Sequence, residues 1–495
     1  MLGTYFTFPE LLIWIPLLTG IICFFMKSRN AARTLAVVSS LATLIVSCFA
    51  LYYSDAVKFP TYNAVNYVWL KQIGSSFYLG LDKTGHLLTF LTALSFPLIF
   101  LSSLKIGYKN PSAFFGLMLL AQAGLMGVFS AMDALVFYFF WELALIPVYF
   151  LCSKWGGEKR IQTTFKFFVY TFIGSLLMLI GIMYVYLHTP GRVFEDGTRA
   201  AHSFSINAFH NALLNAGDQS WLFWLFFAAF AVKMPVFPFH TWQPDTYDQS
   251  PTTVTMVLSG IMVKMGLFGV LRWLVPVLPE ASEKYAQYVI ILSIIGIIYA
   301  SCIAMVQDNI KKLVAYSSIA HIGLMSASIF AMNELSLQGM MIQMFNHGIN
   351  IIGLWIVVDL VERKTGVKHL SQLGGLAAKA PALTWMLVII ALANIALPLT
   401  NGFVGEFMMF AGLYKVGFWY AAIAGISIIL AAVYTLNMIQ KIFFGEVTPA
   451  TQSVTDITLI EKTGLMIIIA FIFLFGIYPQ PLINLTKGAV AGFFG

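Results

Sequence analysis

One stretch decides how this chain must fold: residues 220–247 read SWLFWLFFAAFAVKMPVFPFHTWQPDTY. An apolar run of about 20 residues is long enough to cross a bilayer as a helix. This run contains Pro235 and Pro238, which remove the helical hydrogen bonds to the carbonyls of Ala231 and Met234. The stretch therefore predicts a membrane span whose helix breaks at the two prolines.

A second segment, residues 381–415, is too long for one straight helix. Its 35 residues would measure about 52 Å at 1.5 Å per residue, whereas the hydrocarbon core of a bilayer is about 30 Å thick. The sequence LPLTNG at 397–402 contains Pro398 and supplies the place for a break. We expect two interrupted spans in this chain.

The same length criterion, applied outward in both directions, predicts fourteen spans. Their approximate limits are 8–26, 34–53, 83–103, 112–131, 134–152, 163–188, 220–247, 253–274, 285–306, 311–331, 336–361, 381–415, 417–443 and 462–480. The broken spans are the seventh and twelfth, and spans five apart run in opposite directions. Interrupted helices at matching positions indicate inverted repeats with an ion site near the midplane.

The predicted fold is thus an all-α, polytopic membrane protein with two inverted five-helix repeats. We divide it into residues 1–111 (spans 1–3), 112–274 (first repeat), 285–445 (second repeat) and 446–495 (last span). The composition agrees, because only 10% of residues are charged, against about 25% in soluble proteins. So little charge excludes a soluble, disordered or nucleic-acid-binding chain.

Loop charges predict the orientation. Of the 28 Lys and Arg residues, 17 lie on the side that holds the 27–33 loop and 9 lie on the opposite side. The positive-inside rule then places both termini outside and the 154–166 loop inside. No basic residue precedes the first apolar run, so we expect it to be a retained span and not a cleaved signal.

Four charged side chains fall near the middle of predicted spans: Glu142, Lys233, Lys264 and Glu406. Each costs about 2.5–3.5 kcal/mol to insert there. Plainer explanations exist: Glu142 as a structural hydrogen-bonding group, either lysine reaching for the surface, and Glu406 capping a half-helix. Four such groups at one depth favour a proton relay.

Three histidines extend this polar set. His321 and His347 are mid-span, and although a single buried histidine is often only a core residue, Asn346 and Asn350 flank the second one. Histidine titrates near neutral pH and can pass protons. His240 follows the two prolines and is expected to mark the inner mouth of the pathway.

The sequence predicts no redox centre, nucleotide site or metal site in this chain. Its four cysteines, Cys23, Cys48, Cys152 and Cys302, form no CxxC pair, and no GxGxxG or Walker pattern occurs. The mid-span histidines and carboxylates have no HxxxH or HxxE spacing.

These motifs resemble a known family. FAVKMPVFPFHTWQPDTYDQSPT at 230–252, FFWELALIPVYF, DNIKKLVAYSSIAHIGL and GFVGEF resemble the antiporter-like subunits of respiratory complex I, NADH–quinone oxidoreductase. The superfamily also includes Mrp-type sodium/proton antiporters. The resemblance implies a proton-translocating subunit in which Glu142 pairs with Lys233, Lys264 is the central relay, His321 and His347 extend it, and Glu406 releases protons outward.

Two features favour the branch that includes subunit M and mitochondrial chain 4. Glu406 occupies the twelfth span, where subunits L and N and the Mrp chains typically carry lysine, and about fifteen residues follow the last span, where subunit L continues into a lateral helix. The resemblance implies a bacterial inner membrane, neighbouring subunits L and N, and partner subunits that hold NADH, FMN, iron–sulfur clusters and quinone.

Three alternatives stay open at this point. An Mrp-type sodium/proton antiporter subunit shares the motifs, although Glu406 argues against it. A structural membrane spacer would have no use for four mid-span charges. A channel is disfavoured because alternating Lys and Glu give no ring of one sign.

Overall fold

The structure, a computed structural model, describes residues 6–54, 60–194 and 197–494, and helices account for most of them. The helices are α1 (Phe8–Phe25), α2 (Arg29–Tyr52), α3 (Pro60–Asn63), α4 (Lys83–Ser102), α5 (Pro111–Ser130), α6 (Ala134–Trp155), α7 (Arg160–Leu187), α8 (Ile206–His210), α9 (Ala216–Lys233), α10 (Trp242–Gln249), α11 (Thr252–Leu274), α12 (Pro279–Val306), α13 (Ile310–Phe330), α14 (Glu334–Thr365), α15 (Leu376–Lys379), α16 (Pro381–Asn394), α17 (Asn401–Val416), α18 (Phe418–Phe443), α19 (Leu459–Ile477) and α20 (Gln480–Phe494).

The described helices account for the fourteen predicted crossings when each interrupted pair of helices is counted as one crossing. Twelve of the described helices are long and apolar enough to cross a membrane. The other two crossings are the interrupted ones, α9 with α10 and α16 with α17. The prediction of an all-α polytopic protein with breaks in spans seven and twelve is confirmed.

The first break separates Lys233, the last residue of α9, from Trp242, the first of α10. It begins one residue before Pro235, as expected where proline cannot donate to the preceding turn. The indole Nε1 of Trp242 donates to the Val232 carbonyl at 3.0 Å and so ties the two halves together.

The second break separates Asn394 from Asn401 around Pro398. Two residues beside it, Ala396 and Leu399, have φ angles of 57° and 74°, in the left-handed region that residues other than glycine rarely adopt. The chain therefore turns sharply here, and the break lies five spans after the first.

Loops that the charge count assigns to one side do lie together at one end of the bundle. Arg33, in the first turns of α2, donates to the Ile106 carbonyl at 3.0 Å, which brings the first two of these loops together. Lys368, in a later loop, forms an ion pair with Asp248 of α10 at 2.7 Å. We call this end, which holds the loops at 26–28, 103–110, 156–159, 307–309 and 366–375, the basic end.

A β-hairpin that the sequence does not predict covers the opposite end. Strands β1 (Ala64–Leu70) and β2 (Ser75–Gly80) pair antiparallel, and a second, shorter pair is formed by β3 (Arg192–Val193) and β4 (Arg199–Ala200). Buried Asp133 anchors the first hairpin, because its carboxylate accepts from Ser76 N–H at 3.0 Å and also caps α6 through Leu135 N–H at 3.0 Å.

Helix α11 contains two wide turns of π-helix, at Leu258–Met262 and Val270–Leu274. The N–H of Val263 bonds the carbonyl of Leu258, five residues back, and not that of Ser259. Such turns are frequent at functional sites because they displace backbone groups from the regular pattern. The segment between them, Val263–Gly269, carries Lys264.

Candidate functional site

Lys264 and His347 are in direct contact inside the bundle. The Nζ of Lys264 lies 2.9 Å from Nδ1 of His347 and also donates to the Ser259 carbonyl at 2.9 Å. Both side chains are buried. The π turn before Lys264 leaves the Ser259 carbonyl without a hydrogen bond from the Val263 N–H, so this carbonyl can accept from the Lys264 ammonium group. The second acceptor is the His347 imidazole, which can exchange a proton with the lysine.

The polar path continues from His347 into α13. The other ring nitrogen of His347, Nε2, lies 3.2 Å from the hydroxyl of Ser318. The rings of His321 and His347 are 5.5 Å apart between centroids. Ser318 and His321 share a helix face at a spacing of three residues, so one hydroxyl and two imidazoles form a continuous polar strip.

Glu406 completes this path on α17. Its Oε1 lies 2.9 Å from Nδ1 of His321 and accepts from Nε2 of Gln343 at 3.2 Å. A cavity of about 20 Å³ borders His321, Glu406, Ser427 and Tyr434. A water molecule requires about 10–15 Å³, so there is room for one beside the carboxylate.

Carboxamides surround the second break. The Nδ2 of Asn346 donates to the carbonyl of Asn401 at 2.7 Å, and that of Asn350 donates to the carbonyl of Ala393 at 3.2 Å. Within the described residues, Oδ1 of Asn346, Asn350 and Asn401 has no hydrogen-bond partner although each is buried. Buried polar atoms of this kind are normally satisfied by ordered water.

Lys233 and Glu142 stand apart from this chain of contacts. The Nζ of Lys233 lies 5.5 Å from the centre of the Trp141 ring. Neither that nitrogen nor Oε1 of Glu142 has a hydrogen-bond partner among the residues described. The pairing of Glu142 with Lys233 that the resemblance implies is therefore not a direct hydrogen bond in this structure.

The backbones that carry the two lysines approach closely. A Cβ placed on Gly266 would come within 2.7 Å of the Met234 nitrogen and of the Phe230 carbonyl oxygen. Only glycine allows this contact. It holds the C-terminal end of α9, where Lys233 lies, against the turn of α11 that follows Lys264.

A large charged cavity opens at the basic end. Its volume is about 1250 Å³, and its lining residues include Lys166, Asp245 and Lys312. Asp245 bridges the two lysines, at 3.0 Å and 3.1 Å. His240 is buried, with its ring 5.3 Å from that of Tyr299. Lys166, on the wall of the cavity, donates to the Thr241 carbonyl at 2.8 Å, so the cavity comes close to His240 and to the first break, in which that residue lies.

Four of the predicted site residues, Lys264, His347, His321 and Glu406, are thus brought together, while Glu142, Lys233 and His240 are not joined to them by hydrogen bonds. Sequence reasoning did not identify Ser318 or Gln343. A signal was present, because each precedes a mid-span histidine by three or four residues on the same helix face. No group of three His, Cys, Asp or Glu side chains able to hold a metal ion occurs in the described ranges.

The comparisons with known proteins agree with one another. Residues 131–432 match the family described as NADH:quinone oxidoreductase/Mrp antiporter, TM. The chain is 36% identical to NADH-quinone oxidoreductase subunit M of Rickettsia prowazekii, over 95% of both chains. It is 34% identical to the subunit M of Escherichia coli over 85% of this chain and 83% of that one.

The fold is also that of a solved structure. A chain of respiratory complex I from Thermus thermophilus with bound NADH superposes with a TM-score of 0.87 at 27% identity, covering 98% of this chain and 99% of that one. The chain therefore belongs to the NADH:quinone oxidoreductase and Mrp antiporter membrane-subunit family, within the branch of NADH-quinone oxidoreductase subunit M.

Proposed function

We propose that this chain moves protons outward across a bacterial inner membrane as a subunit of an NADH-oxidising, quinone-reducing complex. It carries out no redox chemistry itself, and NADH, FMN, iron–sulfur clusters and quinone are held by partner subunits. Its membrane neighbours are antiporter-like subunits of types L and N. Both termini face outward, so the basic end faces the inside.

One observation carries the proposal: Lys264, His347, His321 and Glu406 follow one another as neighbouring side chains in the interior of the bundle. Each member exchanges a proton, and each is buried where water is scarce. The centroids of the two imidazole rings are 5.5 Å apart, and Nε2 of His321 has no hydrogen-bond partner among the described residues. The Ser318 hydroxyl or one water molecule bridges that step.

Protons enter from the cavity at the basic end and pass His240 to reach Lys233. Transfer to Lys264 crosses the close contact of α9 with α11 at Gly266. Glu142 acts on Lys233 through its charge and not through a hydrogen bond. Glu406 delivers protons towards the outside through the small cavity beside Ser427 and Tyr434.

The test is NADH-driven proton uptake by inverted membrane vesicles that contain the complex. Lys264→Met and Glu406→Gln should reduce uptake while NADH oxidation persists. Lys415→Met and Glu283→Gln remove matching charges from exposed positions and serve as controls. Normal uptake by an assembled Lys264→Met complex would exclude the relay. Uptake of labelled sodium ions, driven by NADH, would favour the Mrp-type alternative.

A further inference from the structure

A second cavity lies at the end of the bundle opposite the basic end. Its volume is about 270 Å³, and it is bordered by residues of α4, α8, α11, α14 and α20 and the loops beside them. The lining residues that matter here are Asp82, His210, Phe268, Arg272 and Met341. None of these belongs to the proposed relay, so the cavity requires an explanation of its own.

The cavity reaches close to the relay. Phe268 is four residues after Lys264 on α11, which is about 6 Å along the helix axis. Met341 is six residues before His347 on α14, or about 9 Å. Water in this cavity would therefore come within about one to two helical turns of the contact between Lys264 and His347.

Arg272 and Phe268 close the cavity on the relay side. The guanidinium of Arg272 is buried, forms an ion pair with Asp82, and donates to the Ala131 carbonyl at 3.3 Å. Its central carbon lies 4.5 Å from the centre of the Phe268 ring. Phe129 packs edge-to-face with that ring, at 5.4 Å between ring centres. A fixed positive charge thus stands over an apolar constriction.

Beside this closure is a histidine that the relay does not use. His86 is one helical turn inward from Asp82 on α4 and is 1% exposed. Both of its ring nitrogens lack hydrogen-bond partners in the part of the chain that the structure describes. A buried imidazole without protein partners indicates water, one helical turn inward from the Asp82 carboxylate that pairs with Arg272.

We propose that Arg272, held by Asp82 and stacked on Phe268, is a barrier that stops protons from crossing between this second cavity and the relay. A fixed guanidinium repels an approaching proton, and the aromatic ring below it interrupts the water column. The barrier is needed because a proton that returned by this route would dissipate about 2.3 kcal/mol per 100 mV of membrane potential. This inference rests on the proposed relay through Lys264.

The decisive measurement is passive proton flux, without NADH, into liposomes that contain the purified complex and a pH-sensitive dye. Arg272→Leu should raise the flux about tenfold, which corresponds to about 1.4 kcal/mol of barrier. Arg272→Lys keeps the charge and should remain close to the native complex. Adding Lys264→Met to Arg272→Leu should return the flux to the native value, because the leak passes through Lys264.

If an assembled Arg272→Leu complex has the same passive proton flux as the native complex, Arg272 is not a barrier. A leak that persists after Lys264→Met would show that protons bypass the relay, and would overturn the proposal as well. Neither result depends on redox-driven pumping. A failure of the proposed function would be seen in a different measurement, the NADH-driven proton uptake of the Lys264→Met single variant.

A second experiment leaves Arg272 in place and tests the cavity directly. Met341→Cys, with Cys48 and Cys302 changed to serine, should react with a small charged thiol reagent added from the outer side. Met344→Cys, three residues further along α14 and fully buried, is the matched control and should not react. An unreactive Met341→Cys would show that the cavity is closed to the outside, which contradicts the proposal.

Discussion

The Nζ of Lys264 lies 2.9 Å from Nδ1 of His347, and this contact links the two predicted repeats in the interior of the bundle. Lys264 belongs to the last span of the first repeat and His347 to the third span of the second. One proton lies between the two nitrogens. Any proton that moves from the first half of the chain to the second along the buried side chains passes this point.

Breaking that contact from either side should therefore have the same effect. We predict that His347→Gln and Lys264→Met each reduce NADH-driven proton uptake about tenfold or more, the scale expected for a positioned proton carrier. The double variant should be little worse than either single one, because the two residues act on one step. Fully additive losses in the double variant would contradict a shared step.

Glu142 should control Lys233 by charge, since no hydrogen bond links them in the structure. We predict that Glu142→Gln lowers proton uptake sharply in a complex that still assembles, because an unpaired buried ammonium is costly and Lys233 stays neutral. Glu142→Asp keeps the charge and should retain part of the activity. Glu283→Gln, on an exposed turn, is the control. Native uptake by Glu142→Gln would leave Glu142 without a role.

Gln343 should act by holding the Glu406 carboxylate towards His321. Gln343→Leu removes the 3.2 Å bond to Oε1 of Glu406, and we expect it to slow proton uptake and change its pH profile. Gln343→Glu should be more severe, since two carboxylates would then face each other. Gln338→Leu, five residues earlier on α14, is the matched control, because the Gln338 amide donates to the Ile483 carbonyl and not to a relay residue. An unchanged pH profile in Gln343→Leu would mean that the amide only fills space.

Labelling of single cysteines can measure the orientation of the chain in the membrane. We expect Lys159→Cys, in a background without Cys48 and Cys302, to react with an impermeant thiol reagent only from the inside, because its loop lies at the basic end. Lys284→Cys is exposed at the opposite end and should react only from the outside. The reverse pattern would invert the molecule and, with it, the direction of every step proposed above.

Asp456 offers a prediction on stability. Its partial burial would raise the pKa of its carboxyl, but the N–H groups of Ala382, Ile457 and Leu383 lower it overall, so the pKa lies below its ordinary value. The lowered pKa stabilises the folded state above about pH 4, and that contribution is lost as pH falls through the folded value. Asp456→Ala should cost about 1 kcal/mol at pH 7, as for a lost helix cap.

Thermal unfolding of the purified complex at pH 7 and at a pH well below 4 measures this. The difference between Asp456→Ala and the native chain should shrink only at the lower pH. Glu446→Gln, on an exposed turn nearby, should unfold like the native chain at both. An equal difference at both pH values would show that the carboxylate charge is not what stabilises the start of α16.

Much of the fold follows from the sequence because lipid leaves few choices. Residues 220–247 and 381–415 had to break, since proline cannot donate and a bilayer is only about 30 Å thick. The depth of Lys264 and Glu406 followed from position alone. The rotation of each helix about its axis did not follow from position. That rotation brings Glu406 into contact with His321 and leaves Lys233 without a hydrogen bond to Glu142.

The small polar residues of the site were harder to predict from the sequence. Ser318 and Gln343 cost little in an apolar span, so nothing in the composition draws attention to them. The π turns of α11 and the hairpin anchored by Asp133 depend on contacts between distant segments. A pattern of hydrophobic residues therefore predicts the crossings, and the three-dimensional contacts decide which polar groups meet.

The two π turns of α11 also have a consequence for deletions. A π turn holds one residue more than an ordinary helical turn, so deleting a residue from Leu258–Met262 only tightens that turn and leaves both flanking segments facing as before. The same deletion between Val263 and Gly269 would rotate part of the helix by about 100°. We therefore expect α11 to tolerate the deletion of one residue from either π turn far better than a deletion from the segment between them that carries Lys264.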